Sequence, residues 1–212
     1  MKKLLIITLV LFSVNQIYAQ KVTIKSGLTL SSIKRSTLSS VKDVKPGAHI
    51  GASIDIPVSN IFSVDLGAGL TTKGSNYEVG PYGGIFKENL RLYYIDMNFY
   101  PVKASFTIGD TVRIFIASGS YMGYGLKGNM KYDYTYPEGR DSGEYDIEWD
   151  NKGFRRFDAG LSFSTGVNLD PFVIALIYDH GLYDLINNEY KPGKDKRREY
   201  NRSFKVSIGY QF

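Results

Sequence analysis

The amino-acid sequence predicts an all-β protein, an eight-stranded antiparallel up-and-down transmembrane β-barrel, on three observations. Eight segments alternate apolar and polar residues with the period of two that a strand imposes. The polar phase is mostly Gly, Ser and Thr with one charge per strand at most, too little to solvate an exterior. The connections alternate between short turns and long polar loops, the asymmetry of membrane barrels.

The chain opens with Met1-Lys2-Lys3, an apolar run from Leu4 to Phe12, and Ile17-Tyr18-Ala19-Gln20. Two lysines, a short apolar run and Ala19 predict a secretory signal peptide over residues 1–19, cleaved before Gln20. The run is too short to cross a bilayer as a helix. The barrel domain is then residues 20–212. Cysteine is absent, which excludes disulfides and a lipid-modified cysteine. Loss of Lys2 and Lys3 lowers the basic count from 26 to 24 against 21 acids, too even a balance for a nucleic-acid partner.

The first strand is Lys21–Leu30, with Val22, Ile24, Leu28 and Leu30 on one face and Thr23, Lys25, Gly27 and Thr29 on the other. A polar connection from Ser31 to Pro46 leads to a second strand, Gly47–Ile56, which sets Ala48, Ile50, Ala52 and Ile54 against His49, Gly51, Ser53 and Asp55. The turn Pro57-Val-Ser-Asn60 is brief. The third strand, Ile61–Thr72, opposes Phe62, Val64, Leu66 and Leu70 to Ser63, Asp65, Gly67 and Gly69. Lys73 to Asn89 reads as a Gly-rich loop. The fourth strand is Leu90–Tyr100, stopped by Pro101, and the fifth runs from Thr111 through Tyr124. The sixth is Phe154–Val167, the seventh Phe172–Leu182, and a charged loop from Tyr183 to Asn201 precedes the last, Arg202–Phe212. A soluble lipocalin-like barrel binding a small hydrophobic ligand is the alternative, but its exterior would need many charges. Tyr and Phe near the strand ends instead resemble the aromatic girdles of a membrane interface.

Pro46-Gly-Ala-His-Ile-Gly-Ala-Ser-Ile-Asp-Ile-Pro57 and Phe62-Ser-Val-Asp-Leu-Gly-Ala-Gly-Leu-Thr-Thr-Lys-Gly74 resemble the second and third strands of PorT-like, porin-family outer-membrane β-barrel proteins of Gram-negative bacteria. Tyr94-Ile-Asp-Met-Asn98, Ala117-Ser-Gly-Ser-Tyr-Met-Gly-Tyr124, Phe157-Asp-Ala-Gly-Leu161 and Tyr178-Asp-His-Gly-Leu182 resemble later strands. Asn98 departs from the family pattern, which has proline there, and His180 stands where an aromatic is usual. The resemblance implies the outer membrane as location; the barrel topology puts both termini on the periplasmic side.

Eight strands enclose room only for side chains, so a diffusion pore is not expected. Tyr94, Phe115 and Tyr121 fill the interior further. The inward charges are Lys25, Asp55, Asp65, Asp96, Arg113, Asp158 and Lys205, a lumen network in which Lys205 is expected to bridge to Asp96 or Asp158. Lys25, Asp55, Asp65 and Arg113 are expected near the short-turn end. No catalytic, cofactor-binding or metal-binding set appears: of the only two histidines, His49 lies too far along its strand from Asp55 for a hydrogen bond and His180 reads as an interfacial girdle residue, and no phosphate loop or zinc spacing is present. The expectation is a monomer that is not an enzyme and acts through its outer loops, in binding or envelope organisation. Its partners are outer-membrane lipid and, during biogenesis, the barrel-assembly machinery, for which Tyr210 and Phe212 form a C-terminal signal. The remaining candidate is a hairpin over Lys127–Lys152, read as continuing strands five and six without a phase break. Tyr132, Tyr134, Tyr136, Tyr145, Ile147 and Trp149 would project on its outward face, with Tyr136 opposite Tyr145, Tyr134 opposite Ile147 and Tyr132 opposite Trp149. Exposed aromatic surface marks a contact site, here for an extracellular protein or glycan, unless the Tyr77–Phe86 segment covers it.

Overall fold

The computed structural model describes residues 20–35, 42–80, 84–109, 111–150, 153–186 and 198–212; the expected signal peptide lies outside them. Its strands are β1 (Lys21–Arg35), β2 (Lys42–Asp43), β3 (Lys45–Pro57), β4 (Phe62–Val79), β5 (Ile85–Ile108), β6 (Val112–Tyr136), β7 (Gly139–Asp146), β8 (Phe157–Leu169), β9 (Phe172–Gly181) and β10 (Glu199–Gln211). Eight of them form a closed antiparallel ring in the order β1-β3-β4-β5-β6-β8-β9-β10, and β10 returns to β1. The closing seam runs from Thr23↔Gln211 to Arg35↔Glu199, and the Phe212 amide donates to Val22 O at 2.8 Å. Closure leaves no unpaired edge in lipid, where unpaired backbone groups cost several kcal/mol each.

The strict alternation sorts side chains radially. Leu28, Ile116 and Ile208 on the outside are 66 %, 61 % and 62 % exposed, whereas Thr29, Ser162 and Ser207 inside are buried. A soluble calyx needs the reverse, so the lipocalin-like alternative fails on the direction of its apolar phase. Lipid is the solvent that matches this surface.

Two corrections concern length and phase. The residues read as a Gly-rich loop after Thr72 are largely strand: β4 continues to Val79 and β5 begins at Ile85, paired from Lys73↔Leu92 to Val79↔Phe86. Pro101 does not end its strand either. The register passes from Phe99↔Ser120 to Val102↔Ser118, so β5 has one extra residue at Pro101 and runs on to Ile108. Proline lacks the N–H that a ladder needs, and a bulge is where a strand tolerates that. Gly119 faces this bulge, and a Cβ there would meet Phe99 O at 1.9 Å. The extra residue reverses the phase of β5, so Lys103 points inward.

β5 and β6, at 24 and 25 residues, exceed the roughly 9–11 residues that cross a bilayer. Their upper halves, with the ends of β4 and with β2 and β7, make a sheet of order β2-β4-β5-β6-β7 above the ring at its long-loop end. At the other end the turns 58–61 and 170–171 are short.

Replacing Ile116 with arginine places a charge in the lipid-facing belt. It should lower barrel stability in vesicles by about 2–4 kcal/mol if the site lies at the bilayer midplane, read from denaturant unfolding followed by tryptophan fluorescence.

Candidate functional site

The lumen holds an alternating chain of five charges. Lys205 Nζ lies 2.8 Å from Asp179 Oδ2 and 3.2 Å from Asp96 Oδ2, and Lys73 Nζ lies 3.0 Å from Asp96 Oδ1 and 3.2 Å from Asp158 Oδ2. All five side chains are at most 4 % exposed. Neutral groups satisfy the remaining acceptors: Tyr121 Oη donates to Asp158 Oδ1 at 3.0 Å, Asn201 Nδ2 to Asp158 Oδ2 at 2.8 Å, and Ser162 and Ser203 to Asp179 at 2.6 and 3.0 Å. His49 joins the two neighbouring strands to this layer, with Nδ1 3.1 Å from Thr29 Oγ1 and Nε2 2.6 Å from Ser207 Oγ. Each of the eight ring strands thus contributes a side chain at this level.

Nearer the turn end, Lys103 Nζ bridges Asp55 Oδ2 at 2.5 Å and Asp65 Oδ2 at 3.0 Å and lies 4.8 Å from the Phe115 ring centre. Lys25 and Asp65 line a cavity of about 30 Å3 beside it, room for about one water molecule. Arg113 stands apart from both clusters at the rim, donating to Asn60 O at 2.9 Å. Lys73, Lys103 and Asp179 escape the sequence reading. Lys73 and Asp179 share the inward parity of Asp65 and Ala175, so extending each strand's phase would have found them. Lys103 has outward parity until the Pro101 bulge turns it, and no local pattern reveals that. Lys205 reaches Asp96 and Asp179, while Asp158 belongs to Lys73.

Above the charges sits an apolar cap of Ile33, Leu90, Leu92, Met130, Trp149 and Leu185. Trp149 is 9 % exposed and meets the Tyr94 ring edge-on at 6.0 Å. Gly125 makes room for it: a Cβ there would fall 2.4 Å from Trp149 Cη2. This overturns the expected placement of Trp149 on a projecting strand. β7 ends at Asp146, the Ile147 amide bonds to Gly128 O at 2.8 Å, and the chain turns back into the barrel mouth.

The hairpin register differs from the expected one as well. Tyr136 pairs with Gly139, Tyr134 with Asp141, Tyr132 with Gly143 and Met130 with Tyr145. The phase also breaks, because Tyr94↔Gly125 is followed by Tyr93↔Lys127, leaving Leu126 as an extra residue. Above that bulge Tyr132, Tyr134 and Tyr136 share the face of buried Met130, not the lipid-facing phase of Tyr124. They form a continuous aromatic line with Phe86 and Tyr145. Ring centres are 5.5 Å apart for Tyr136–Phe86, 5.3 Å for Phe86–Tyr134, 5.1 Å for Tyr134–Tyr132 and 6.3 Å for Tyr132–Tyr145. Phe86, at the end of the segment considered as a cover, is part of the surface, and Tyr136 and Tyr145 remain 41 % and 52 % exposed. Tyr134 Oη donates to Glu88 Oε1 at 3.0 Å; partial burial and that carboxylate push the phenol up to about 12. The opposite face of the sheet is ionic, pairing Lys131 with Glu144 at 3.1 Å, Lys87 with Glu78 at 3.0 Å, and Arg140 with Asp133.

A closed ring with an apolar exterior, a charged interior held by two ion-pair clusters and a capped mouth defines an integral membrane β-barrel. Residues 18–187 match the outer membrane protein beta-barrel domain, and the chain belongs to that family. Among solved structures it is similar to Neisserial surface protein A, at 12 % identity over 90 % of this chain and 95 % of that one, with a TM-score of 0.45. It is also similar to Ail, the attachment invasion locus protein of Yersinia pestis, in complex with the heparin analogue sucrose octasulfate. There the identity is 15 %, the coverage 91 % and 99 %, and the TM-score 0.41. The outer membrane protein OprG from Pseudomonas aeruginosa aligns at 13 % identity over 91 % and 95 %, with a TM-score of 0.38. No curated protein matches the sequence.

Lys73→Met strands Asp158 and half of Asp96 in a dry interior. It should cost about 3–5 kcal/mol in denaturant unfolding, while exchange of exposed Lys131 for methionine should cost about 1 kcal/mol at most.

Proposed function

We propose that this protein is a plugged outer-membrane barrel that displays a binding surface, and that the surface takes a glycan chain. The aromatic line from Tyr136 to Tyr145 carries the reading. Tyrosines spaced about one sugar ring apart offer flat apolar faces to the C–H side of a saccharide, and their hydroxyls with Glu88 and Asp141 offer hydrogen-bond partners at the edges. The ionic opposite face keeps the sheet soluble above the membrane.

A non-enzymatic, monomeric barrel with both termini in the periplasm fits this reading. The periplasmic placement is supported by the short turns sharing an end with Lys21 and Phe212. On the strand motifs quoted above we place it beside the PorT-like, porin-family barrels. Residues 1–19 would direct export. Tyr210 and Phe212, whose rings lie 4.9 Å apart at the seam, would address the chain to the assembly machinery.

Two measurements test the function. In planar bilayers the purified barrel should give no stepwise conductance, since the charged layer and the cap leave no continuous water path. The triple variant Tyr132→Ser, Tyr134→Ser, Tyr145→Ser should lose about tenfold or more in binding to surface polysaccharide while keeping the heat-dependent gel mobility of a folded barrel. Unchanged glycan binding by that variant rejects the glycan reading; loss of binding to a purified surface protein instead would move the same face to a protein partner.

A further inference from the structure

We propose that the lipid-facing side of β9, β10 and β1 holds a phosphate-bearing lipid of the leaflet at the loop end. Its phosphate would lie on Arg202, Lys34 and His180 and an acyl chain in the groove that runs from Phe204 and Tyr178 toward β5. Arg202 pairs across the sheet with His180, and Phe204, two residues nearer the bilayer centre, pairs with Tyr178. On β1 the partner of Arg202 is Ser32, and Lys34 lies two residues further toward the loops on the same outward phase. Both cations lie within electrostatic reach of the imidazole.

Arg202 is partly anchored, with Nη1 donating to Gly181 O at 2.8 Å, and its other guanidinium donors have no hydrogen-bond partner among the described residues. His180 Nδ1 sits 3.3 Å from Tyr178 Oη and the two rings are 6.0 Å apart. Neither Lys34 nor Arg202 has an acidic partner at ion-pair distance among the described residues. Two other cations above the belt are neutralised, Arg156 by Asp150 at 3.2 Å and Lys127 by Asp146 at 3.7 Å.

Diagonally below, starting at Phe204 and Tyr178 and running across β8 and β6 to β5, the outer wall is dented rather than smooth. A groove of about 480 Å3 lies where small Ala104 and Ser118 stand beside bulky Phe163, Leu176, Tyr178 and Phe204. Phe204, Tyr178, Phe163 and Ser118 are successive cross-strand partners, so the groove follows one row around the barrel. Tyr178 belongs both to this row and to the His180 contact, which makes the apolar slot and the cationic head one continuous surface. Guanidinium and ammonium donors at the edge of an apolar belt meet the phosphates of a leaflet, where charge-assisted bonds are strong. An acyl chain supplies the apolar half. Neither half depends on the aromatic line, so failure of the glycan reading leaves this site standing.

The test titrates the detergent-folded full chain with a phosphorylated glycolipid and with the same lipid after enzymatic dephosphorylation, reading bound lipid by native mass spectrometry. Wild type should retain the phosphorylated form about tenfold better, and the double variant Arg202→Gln, Lys34→Gln should lose that preference. Equal retention of the two lipids by wild type overturns the proposal without any variant, and an undiminished preference in the folded double variant overturns it equally.

Discussion

The structure depends on the buried sequence Asp179–Lys205–Asp96–Lys73–Asp158. Lipid outside leaves the polar groups of an eight-stranded ring only the inside in which to find partners, and buried charges are costly unless paired and hydrogen-bonded. Two lysines shared among three aspartates meet that requirement by alternation, and Tyr121, Asn201, Ser162 and Ser203 complete the carboxylates. These groups come from β4, β5, β6, β8, β9 and β10, and His49 of β3 contacts Thr29 of β1 and Ser207 of β10. The same contacts that hold the ring fill it. A packed lumen is therefore a consequence of how this barrel is stabilised.

Two single-residue bulges decide which surfaces those are. The extra residue at Pro101 turns Lys103 inward to Asp55 and Asp65, closing the turn end with a second ionic cluster. The extra residue at Leu126 turns the tyrosines of β6 away from the lipid side and onto the face that carries the cap. Because a strand has a side-chain period of two, one inserted residue exchanges its faces over the whole remaining length. Without the second bulge, Tyr132, Tyr134 and Tyr136 would extend the lipid-facing belt instead of forming a line with Phe86 and Tyr145.

The molecule then has three zones with different solvents. The apolar belt meets acyl chains, the ionic lumen is packed with side chains, and the sheet above the mouth meets water with one aromatic and one charged face. The cap of Leu90, Leu92, Trp149 and Leu185 separates the last two, so the surface above can vary without opening the ionic layer below.

The alternation and the spacing of turns determined the class, the ring of eight strands, which phase faces lipid, and the inward placement of Lys25, Asp55, Asp65, Asp96, Asp158 and Lys205. Parity along a strand is a local property, and it carries to every residue until the register changes. Even Lys73 and Asp179 were legible by that rule, had the strands been extended. Only the tertiary structure decided where parity resets: Pro101 is a residue that a bulge tolerates, but the extra residue there and at Leu126 is defined by pairing with a neighbouring strand. The partners of Lys205, the return of Trp149 into the mouth and the register of Tyr132 with Gly143 were decided there too. Each depends on distances between strands far apart in the chain, which closure of the ring sets and a single strand's pattern does not contain.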